Sequence, residues 1–310
     1  ALQFLGNLFE HVLEQRDAQL NILGATSGDT GSAAIAGVKG KARIKIFVLY
    51  PEGKTSPLQE RQMITVLEDN VHNIALRGSF DDCQSLMKSV FSDLEFRTQH
   101  SLGAVNSVNW ARILAQIVYY FHAWYQLACP DRFNVSVPTG NFGNIFAGYL
   151  AREMGLPINH LILATNSNDI LARFFNTGEY SRGQVNFTES PAMDIQVASN
   201  FERYLFYELN QSSGKVVEFM EQFQSTGTVS LGFNTRRQNE AFLAGAADDE
   251  QTIETIKRCH ADYGYLVDPH TAVGIEVASK LHREDLPLLC LSTAYPAKFQ
   301  HAMHRALPEI

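Results

Sequence analysis

Residues 20–34 read LNILGATSGDTGSAA, in which an apolar strand signal leads through a turn rich in Gly, Ser and Thr into a helix signal. Thr26, Ser27, Asp29 and Thr30 place hydroxyl and carboxyl groups in this turn. Backbone N–H groups at a helix start add partial positive charge, so such a turn suits a carboxylate or a phosphate. The same residue types also form ordinary helix caps, so the stretch alone leaves both interpretations open.

The spacing of the glycines in this turn excludes two nucleotide-binding motifs. Glycines stand at 24, 28 and 31, which gives GxxxGxxG and not the GxGxxG of dinucleotide-binding folds. No acidic residue ends the next strand signal, and the turn lacks the lysine of a P-loop.

A second turn of the same design lies in the other half of the chain, in SVPTGNFGNIFAG (136–148). Gly140 and Gly143 allow the backbone to approach a ligand closely, while Asn141 and Asn144 add amide groups at the start of a helix. A tight strand-to-helix turn would explain this stretch equally well if it stood alone. Because two such turns occur in one chain, we interpret them together as anion-binding sites.

A polar cluster precedes a long aromatic-rich helix signal, in NSVNWAR (106–112). Arg112 offers a guanidinium fork that matches a phosphate or a carboxylate. Asn106, Ser107 and Asn109 add neutral donors within two helical turns. A helix cap followed by a solvated arginine is the alternative interpretation.

Two hydroxyl residues, Ser292 and Thr293, follow the last strand signal in LSTAYPAKF (291–299). Open α/β sheets bind ligands at the carboxyl ends of their strands. The two hydroxyls can contact a ring nitrogen there without protonating it. A plain turn before a helix is the alternative.

A histidine opens another helix signal in DPHTAVG (268–274). Asp268 or Thr271 is the predicted cap, and Pro269 fits the first turn. His270 is a candidate proton carrier, although a single histidine at a helix start more often has a structural role.

The order of strand and helix signals predicts an α/β fold with mostly parallel sheets. Short apolar strands rich in Val, Ile and Leu alternate with helices, as in right-handed βαβ units whose sheets are covered on both faces. We predict two three-layer αβα lobes, a smaller one over residues 1–129 and a larger one over 130–310, with a less regular segment at about 176–235. The predicted strands are 20–25, 43–50, 71–78, 134–140, 160–166 and 286–293.

The first residues, ALQFLGNLFEHVLEQRD, read as a helix that has already begun, because no capping residue precedes the apolar stripe. We therefore expect the smaller lobe to be truncated at its start. The stripe consists of Leu2, Leu5, Leu8, Phe9, Val12 and Leu13.

Composition narrows the class of protein. The chain has 310 residues, 25 Lys and Arg against 33 Asp and Glu, and a net charge of −8, which argues against a nucleic-acid or anionic-membrane surface. Its four cysteines have no CxxC spacing, which is typical of a reduced cytoplasmic protein without a metal site. No signal peptide and no apolar run of about 18 residues is found, so we predict a cytoplasmic location.

Taken together, these segments resemble the threonine synthase family of pyridoxal-phosphate enzymes, which has the tryptophan-synthase-β-like fold, fold type II. The resemblance covers essentially the whole chain and rests on uncommon strings in the family's order and spacing. They are ATSGDTGSAA, LYPEGKTSPLQ, NSVNWARILAQIVYYF, SVPTGNFGN, ATNSND, AMDI and STAYPAKF.

The resemblance implies a cofactor, pyridoxal 5'-phosphate, bound in the cleft between the two lobes. Its phosphate would lie in the turn after residue 138, and neutral hydroxyls would face its pyridine nitrogen. The implied cofactor residues are Gly140, Asn141, Phe142, Gly143, Asn144, Ser292, Thr293 and Asp29.

The resemblance also implies a substrate, O-phospho-L-homoserine, which reacts with water to give L-threonine and phosphate. The implied partners of its carboxylate are Thr26, Ser27 and Thr30, and those of its phosphate are Asn106, Ser107, Asn109, Arg112 and Lys54. We expect a monomer or a homodimer, and no metal, nucleic acid or membrane as a partner.

Two departures from the family limit what can be carried over. Tyr295 stands where the family usually has His, so no role for that imidazole is assigned. The family's Schiff-base lysine lies in an FKDF-type motif just before the helix matched by ALQFLGN, so we expect it just before Ala1 and expect this chain alone to be inactive. A non-catalytic protein that binds pyridoxal phosphate, or another fold type II enzyme such as threonine dehydratase, remains an alternative.

Overall fold

The chain folds into two units, residues Ala1–Ala115 and Gln116–Ile310. The structure is a computed structural model that describes residues 1–26, 28–105, 109–232, 241–282 and 285–309, without the side chains of Asp29 and Asp81. The division lies inside a helix, α6 (Trp110–Gln126), and therefore earlier than the predicted boundary between residues 129 and 130. The second half of α6 belongs with the later residues, because Tyr120 packs against Gly148 and donates to the carbonyl of Asn144.

The first unit is built on a four-stranded sheet in which every strand pair is parallel. The order of its strands is β3-β2-β1-β4. Its elements are α1 (Leu2–Gln15), β1 (Leu20–Ala25), α2 (Asp29–Val38), β2 (Ile44–Pro51), α3 (Pro57–Ile64), β3 (Val71–Leu76), α4 (Phe80–Ser92), α5 (Leu94–Gln99), β4 (Leu102–Gly103) and the first turns of α6.

Helices cover both faces of this sheet. On β2, Ile46 and Val48 belong to a core that includes Ile35 of α2, Met63 of α3 and side chains of α1. The next residue of the strand, Leu49, packs instead with Cys83 and Met87 of α4. Because successive side chains of a strand point to opposite faces, the two cores lie on opposite sides of the sheet, as the prediction of a three-layer unit requires.

Glycines set the close packing of α1 on α2. A Cβ atom added to Gly6 would lie 1.9 Å from the carbonyl oxygen of Gly37, and one added to Gly37 would lie 2.6 Å from the carbonyl oxygen of Leu2. The contact is reinforced at its rim by Lys41, whose Nζ lies 2.8 Å from both Asn7 Oδ1 and Glu10 Oε2. The two helices therefore approach backbone to backbone.

Replacing Gly6 by alanine is expected to lower the free energy of unfolding by about 1–3 kcal/mol, because the new methyl group must displace backbone. Helix propensity alone predicts the opposite sign, since alanine is favoured over glycine by about 1 kcal/mol within a helix. Urea unfolding followed by circular dichroism measures the difference. Gly214→Ala is the control, since its Cβ would meet nothing within 4 Å. A Gly6→Ala protein as stable as the wild type would contradict the packing argument.

The second unit is built on another four-stranded parallel sheet, of order β10-β5-β6-β9, and β7 and β8 form a separate antiparallel pair. Its elements after α6 are β5 (Phe133–Pro138), α7 (Gly143–Glu153), β6 (Ile158–Thr165), α8 (Ile170–Thr177), β7 (Glu179–Ser181), α9 (Phe201–Glu208), α10 (Ser213–Thr226), β8 (Thr228–Ser230), β9 (Phe242–Ala246), α11 (Asp249–Tyr263), α12 (Pro269–Leu281), β10 (Leu288–Cys290) and α13 (Gln300–Ala306).

The central strands of this sheet are buried on both faces, as predicted. Every residue of β5 is buried. On one face of β6, Ile162 packs with Val273 and Val277 of α12. On the other face, Leu161 lies so near α7 that a Cβ atom on Gly148 would be 2.9 Å from it. The prediction of an α/β fold with mostly parallel sheets is confirmed.

The prediction of a less regular segment at about 176–235 is confirmed for residues 182–200, which form no helix or strand except a short 3₁₀ turn, and is wrong for most of the described residues after them. That segment contains α9, α10 and the β7–β8 pair. Its aromatic side chains form a core around Tyr180, whose ring centroid lies 4.7 Å from that of Phe201 and 4.6 Å from that of Phe223. Burial in this core raises the pKa of Tyr180 to about 12. A few widely spaced aromatics thus hold a segment whose sequence is otherwise polar.

Within the described ranges, no helix has the length and the apolar character that crossing a membrane requires.

Candidate active site

The turn between β5 and α7 exposes the start of a helix at the carboxyl edge of the second sheet. Phe142 precedes α7 with φ of 63°, in the left-handed region that non-glycine residues rarely adopt. Among the described residues, no side chain caps the first turn of this helix. The first N–H groups of a helix have no partners within it, so those of α7 are available to an anion.

The side chain of Phe142 holds this turn against the core. It is 1 % exposed, and its ring centroid lies 5.8 Å from that of Phe175 and 5.6 Å from that of Tyr204. An unusual backbone conformation persists only where its surroundings determine it. The aromatic contacts of Phe142 provide that constraint, so the side chain is an anchor and the backbone is the ligand-facing part.

Asn141 is fixed by two residues at the start of α9. Its carbonyl oxygen accepts hydrogen bonds of 3.1 Å from the backbone N–H and from Nδ2 of Asn200. Its side-chain oxygen accepts one of 3.1 Å from Ser199 Oγ. Ser199 and Asn200 could not be predicted as site residues from the sequence, because no local pattern links them to a turn so far away in the chain.

Gly140 lies against a short 3₁₀ turn, Pro191–Met193. A Cβ atom on Gly140 would lie 2.8 Å from the carbonyl oxygen of Ala192 and 3.2 Å from Cα of Met193. The turn between β5 and α7 also contains Asn144, whose Oδ1 is buried and has no hydrogen-bond partner among the described residues. Close backbone packing and uncapped N–H groups fit a group that carries a phosphate, whereas the Asn144 oxygen can only accept a hydrogen bond.

Ser292 and Thr293 follow β10 at the same edge of the same sheet. Strand β10 runs parallel to β5, with Cys290 opposite Ser136, so the residues after both strands emerge on one side. The N–H of Thr293 donates to Thr271 Oγ1 over 3.4 Å, and the hydroxyl oxygens of Thr271 and Ser292 are 3.5 Å apart. The structure therefore brings together the two sets of predicted cofactor residues that belong to the second unit.

Both ring nitrogens of His270 take part in hydrogen bonds. The side chain is buried, with Nδ1 3.0 Å from Asp268 Oδ1, while Nε2 accepts a 3.1 Å hydrogen bond from the backbone N–H of Ala192. Since Nε2 is an acceptor here, the hydrogen is on Nδ1 and is donated to the carboxylate. This geometry gives His270 a structural role, the alternative to the predicted proton carrier.

Asp268 is the N-cap of α12, as predicted, and it remains charged although it is buried. Burial by itself would raise the pKa of this carboxyl, but hydrogen bonds from His270 and Thr271 hold the pKa below its ordinary value. The carboxylate accepts from the backbone N–H of His270 over 2.9 Å and from the hydroxyl of Thr271. A buried, fully paired carboxylate of this kind fixes its neighbours rigidly.

In the first unit, Thr26 turns its hydroxyl back into the loop. It is buried, and its Oγ1 accepts hydrogen bonds of 2.9 Å from the backbone N–H groups of both Gly28 and Gly31. Thr30 is exposed in the first turn of α2, whereas Ser27 and the side chain of Asp29 lie outside the described residues. Thr26 thus shapes the turn, and Thr30 lies on its surface.

The SPLQ segment of the sequence supports the same turn. Ser56 caps α3 and donates to Gln59 Oε1 over 2.9 Å. That oxygen lies so close to Gly28 that a Cβ atom there would be 2.4 Å away. Lys54 is exposed in the loop after β2, at the same edge of the parallel sheet as this turn.

The start of α6 lies at that edge too, because β4 pairs in parallel with β1. Asn109 accepts from the N–H of Ala111 over 3.0 Å and donates to the carbonyl of Ala104 over 2.9 Å, so its amide is a helix cap. Arg112 is half-buried and donates to the carbonyl of Val105 over 3.2 Å. The predicted residues Asn106 and Ser107 lie outside the described residues.

Comparison with known proteins shows to which family this chain belongs. Residues 3–223 match the family "pyridoxal-phosphate dependent enzyme", and residues 271–310 match "threonine synthase, C-terminal". The chain is 50% identical to the threonine synthase of Pseudomonas aeruginosa over 99% of its own length and 66% of that protein. It is 45% identical to the threonine synthase of Schizosaccharomyces pombe over 99% of this chain and 67% of that protein.

A solved structure agrees with these sequence matches. The crystal structure of threonine synthase from Brucella melitensis, with pyridoxal phosphate bound, has a TM-score of 0.95 and 45% identity, covering 98% of this chain and 66% of that one. The chain thus spans about two thirds of the length of these relatives, and the prediction of fold type II is confirmed. With matches of this extent in both sequence and structure, the chain belongs to the threonine synthase family of pyridoxal-phosphate-dependent enzymes.

Proposed function

We propose that the whole protein is a carbon–oxygen lyase that converts O-phospho-L-homoserine and water into L-threonine and inorganic phosphate, with pyridoxal 5'-phosphate as its cofactor. The observation that carries this proposal is the turn at Gly140–Asn144. Its left-handed Phe142 and its uncapped helix start fit a phosphate-bearing cofactor. Family membership supports the reaction type.

The second unit would hold the cofactor at two points. The N–H groups at the start of α7 would donate to the cofactor phosphate, helped by the positive end of the helix dipole. Ser292 and Thr293 would face the pyridine nitrogen with hydroxyl groups, which leave that nitrogen unprotonated. When bound, pyridoxal phosphate supplies an electron sink for the carbanions of the reaction.

The first unit would bind the substrate. The turn at Thr26–Thr30, shaped by the inward hydroxyl of Thr26, would take the substrate carboxylate at the N-terminus of α2. We assign the substrate phosphate to the positive groups of Arg112 and Lys54 and to the polar side chains of Asn106, Ser107 and Asn109. Asp29 would face the cofactor ring. Fixing the phosphate keeps the leaving group in place while the bond to Cγ breaks and water adds at Cβ.

The proposal is tested by assaying the whole protein with pyridoxal phosphate and O-phospho-L-homoserine. We expect inorganic phosphate and threonine to form in equal amounts, with no ammonia released from threonine. Ammonia release from threonine without phosphate release would identify a dehydratase. Tight binding of the cofactor without turnover of either substrate would identify a non-catalytic binding protein.

A further inference from the structure

We propose that His270 is a positioning residue that connects the turn at Gly140–Asn144, here called the phosphate turn, to the hydroxyl residues Ser292 and Thr293 at the other end of the cofactor site. The inference rests on the proposed function, because it assigns the two ends to one cofactor. The basis is a continuous set of contacts in the second unit, from Gly140 at one end to Thr293 at the other, whose central members, His270, Asp268 and Thr271, are buried.

On the phosphate side, the connection passes through the backbone of Ala192. Gly140 leaves no room for a side chain against the Ala192 carbonyl, so the two segments are in close backbone contact. The N–H of Ala192 donates to His270 Nε2 over 3.1 Å. A shift of the imidazole would therefore shift the Ala192 backbone, against which the phosphate turn packs.

On the other side, the connection passes through Asp268. This carboxylate accepts from His270 Nδ1 over 3.0 Å and from the hydroxyl of Thr271. Thr271 Oγ1 in turn accepts from the N–H of Thr293 over 3.4 Å and lies 3.5 Å from Ser292 Oγ. The residues proposed for the pyridine nitrogen are thus linked, through Thr271, to the same carboxylate that holds the imidazole.

A histidine suits this position because one ring must accept at Nε2 and donate at Nδ1. Lysine and arginine carry donors only and could not accept from Ala192. The imidazole is buried, and its ring centroid lies 4.9 Å from that of Phe299, so it cannot rotate freely. The uncharged Nδ1–H form of His270 is therefore what links the two ends.

The experiment compares two probes, pyridoxamine 5'-phosphate and pyridoxamine, by isothermal titration calorimetry on the whole protein. Neither probe forms a Schiff base with lysine, so their affinity ratio reports the phosphate turn. We expect wild-type protein to prefer the phosphorylated probe, and His270→Leu to reduce that preference about tenfold, the effect of about one hydrogen bond. His270→Gln keeps a donor and an acceptor and should recover part of it.

His282→Leu is the matched control. This histidine lies at the other end of α12, where Nδ1 is 3.1 Å from Asn134 Nδ2, away from the proposed site. Its replacement should cost stability without changing the preference between the probes. Thermal unfolding of each variant shows which proteins are folded at the temperature of titration.

A wild-type protein that binds the two probes equally would overturn both the proposed function and this inference. A wild-type protein with a clear preference, retained in full by His270→Leu and His270→Gln, would overturn the inference alone. Nitrogen-15 NMR of wild-type protein, selectively labelled at histidine and assigned with His270→Gln, gives a test that does not depend on a folded leucine variant. We expect hydrogen on Nδ1 of His270, and hydrogen on Nε2 instead would overturn the link to Ala192.

Discussion

Replacing Phe142 by alanine is expected to lower the free energy of unfolding by about 3–5 kcal/mol, the range for removing a fully buried phenylalanine ring. Among the described residues, the ring has four aromatic neighbours, Phe175, Phe201, Tyr204 and Phe242, with centroid distances of 5.8, 5.7, 5.6 and 6.4 Å. Alanine would leave a cavity among them and would keep a non-glycine residue at φ of 63° without the contacts that enforce it. Urea unfolding monitored by tryptophan fluorescence measures the loss.

Phe187 provides the matched control for this prediction, because its side chain is 94% exposed in the same unit. Phe187→Ala should change the free energy of unfolding by less than about 0.5 kcal/mol. Phe142→Leu keeps most of the apolar volume and should fall between the two. If Phe142→Ala unfolded at the same urea concentration as Phe187→Ala, the ring would not be the anchor of the turn.

The sheet strands were largely predictable because a buried parallel strand leaves a continuous apolar run. Strand β1 was predicted at 20–25 and found at Leu20–Ala25, and β5, the fourth predicted strand at 134–140, was found at Phe133–Pro138. Strands β4, β7 and β8 have only two or three residues, too few to create a periodic pattern. They exist because neighbouring elements pair with them, which is a tertiary effect.

The candidate site was predictable where its chemistry is local. The turn at Gly140–Asn144 could be identified because glycines, amides and a helix start lie within a few residues. The orientation of Thr26 could not, since its hydroxyl could equally face a ligand or the N–H groups of Gly28 and Gly31. The partners of His270 were also hidden from the sequence, because Ala192 lies 78 residues before it in the chain.

Replacing Gly140 by alanine is expected to weaken binding of pyridoxamine 5'-phosphate by at least about tenfold, while binding of pyridoxamine changes little. The backbone of Gly140 does not adopt a positive φ, so the expected effect comes from contact and not from backbone strain. The new Cβ would lie 2.8 Å from the Ala192 carbonyl oxygen, which forces the turn to move relative to the wall behind it. Overpacking of this kind costs about 1–3 kcal/mol, and 1.4 kcal/mol corresponds to a factor of about ten in affinity.

Gly24→Ala serves as the control for that measurement, since Gly24 lies near the end of β1, just before the other strand-to-helix turn, but its Cβ would meet nothing within 4 Å. It should leave the affinity for both probes unchanged. If Gly140→Ala bound the phosphorylated probe as tightly as the wild type, the phosphate would not be held by this turn. If binding of both probes were weakened equally, the substitution would also have disturbed the part of the site around Ser292 and Thr293, which is proposed to face the pyridine ring. That result would extend the coupling through Ala192 and His270 beyond the phosphate.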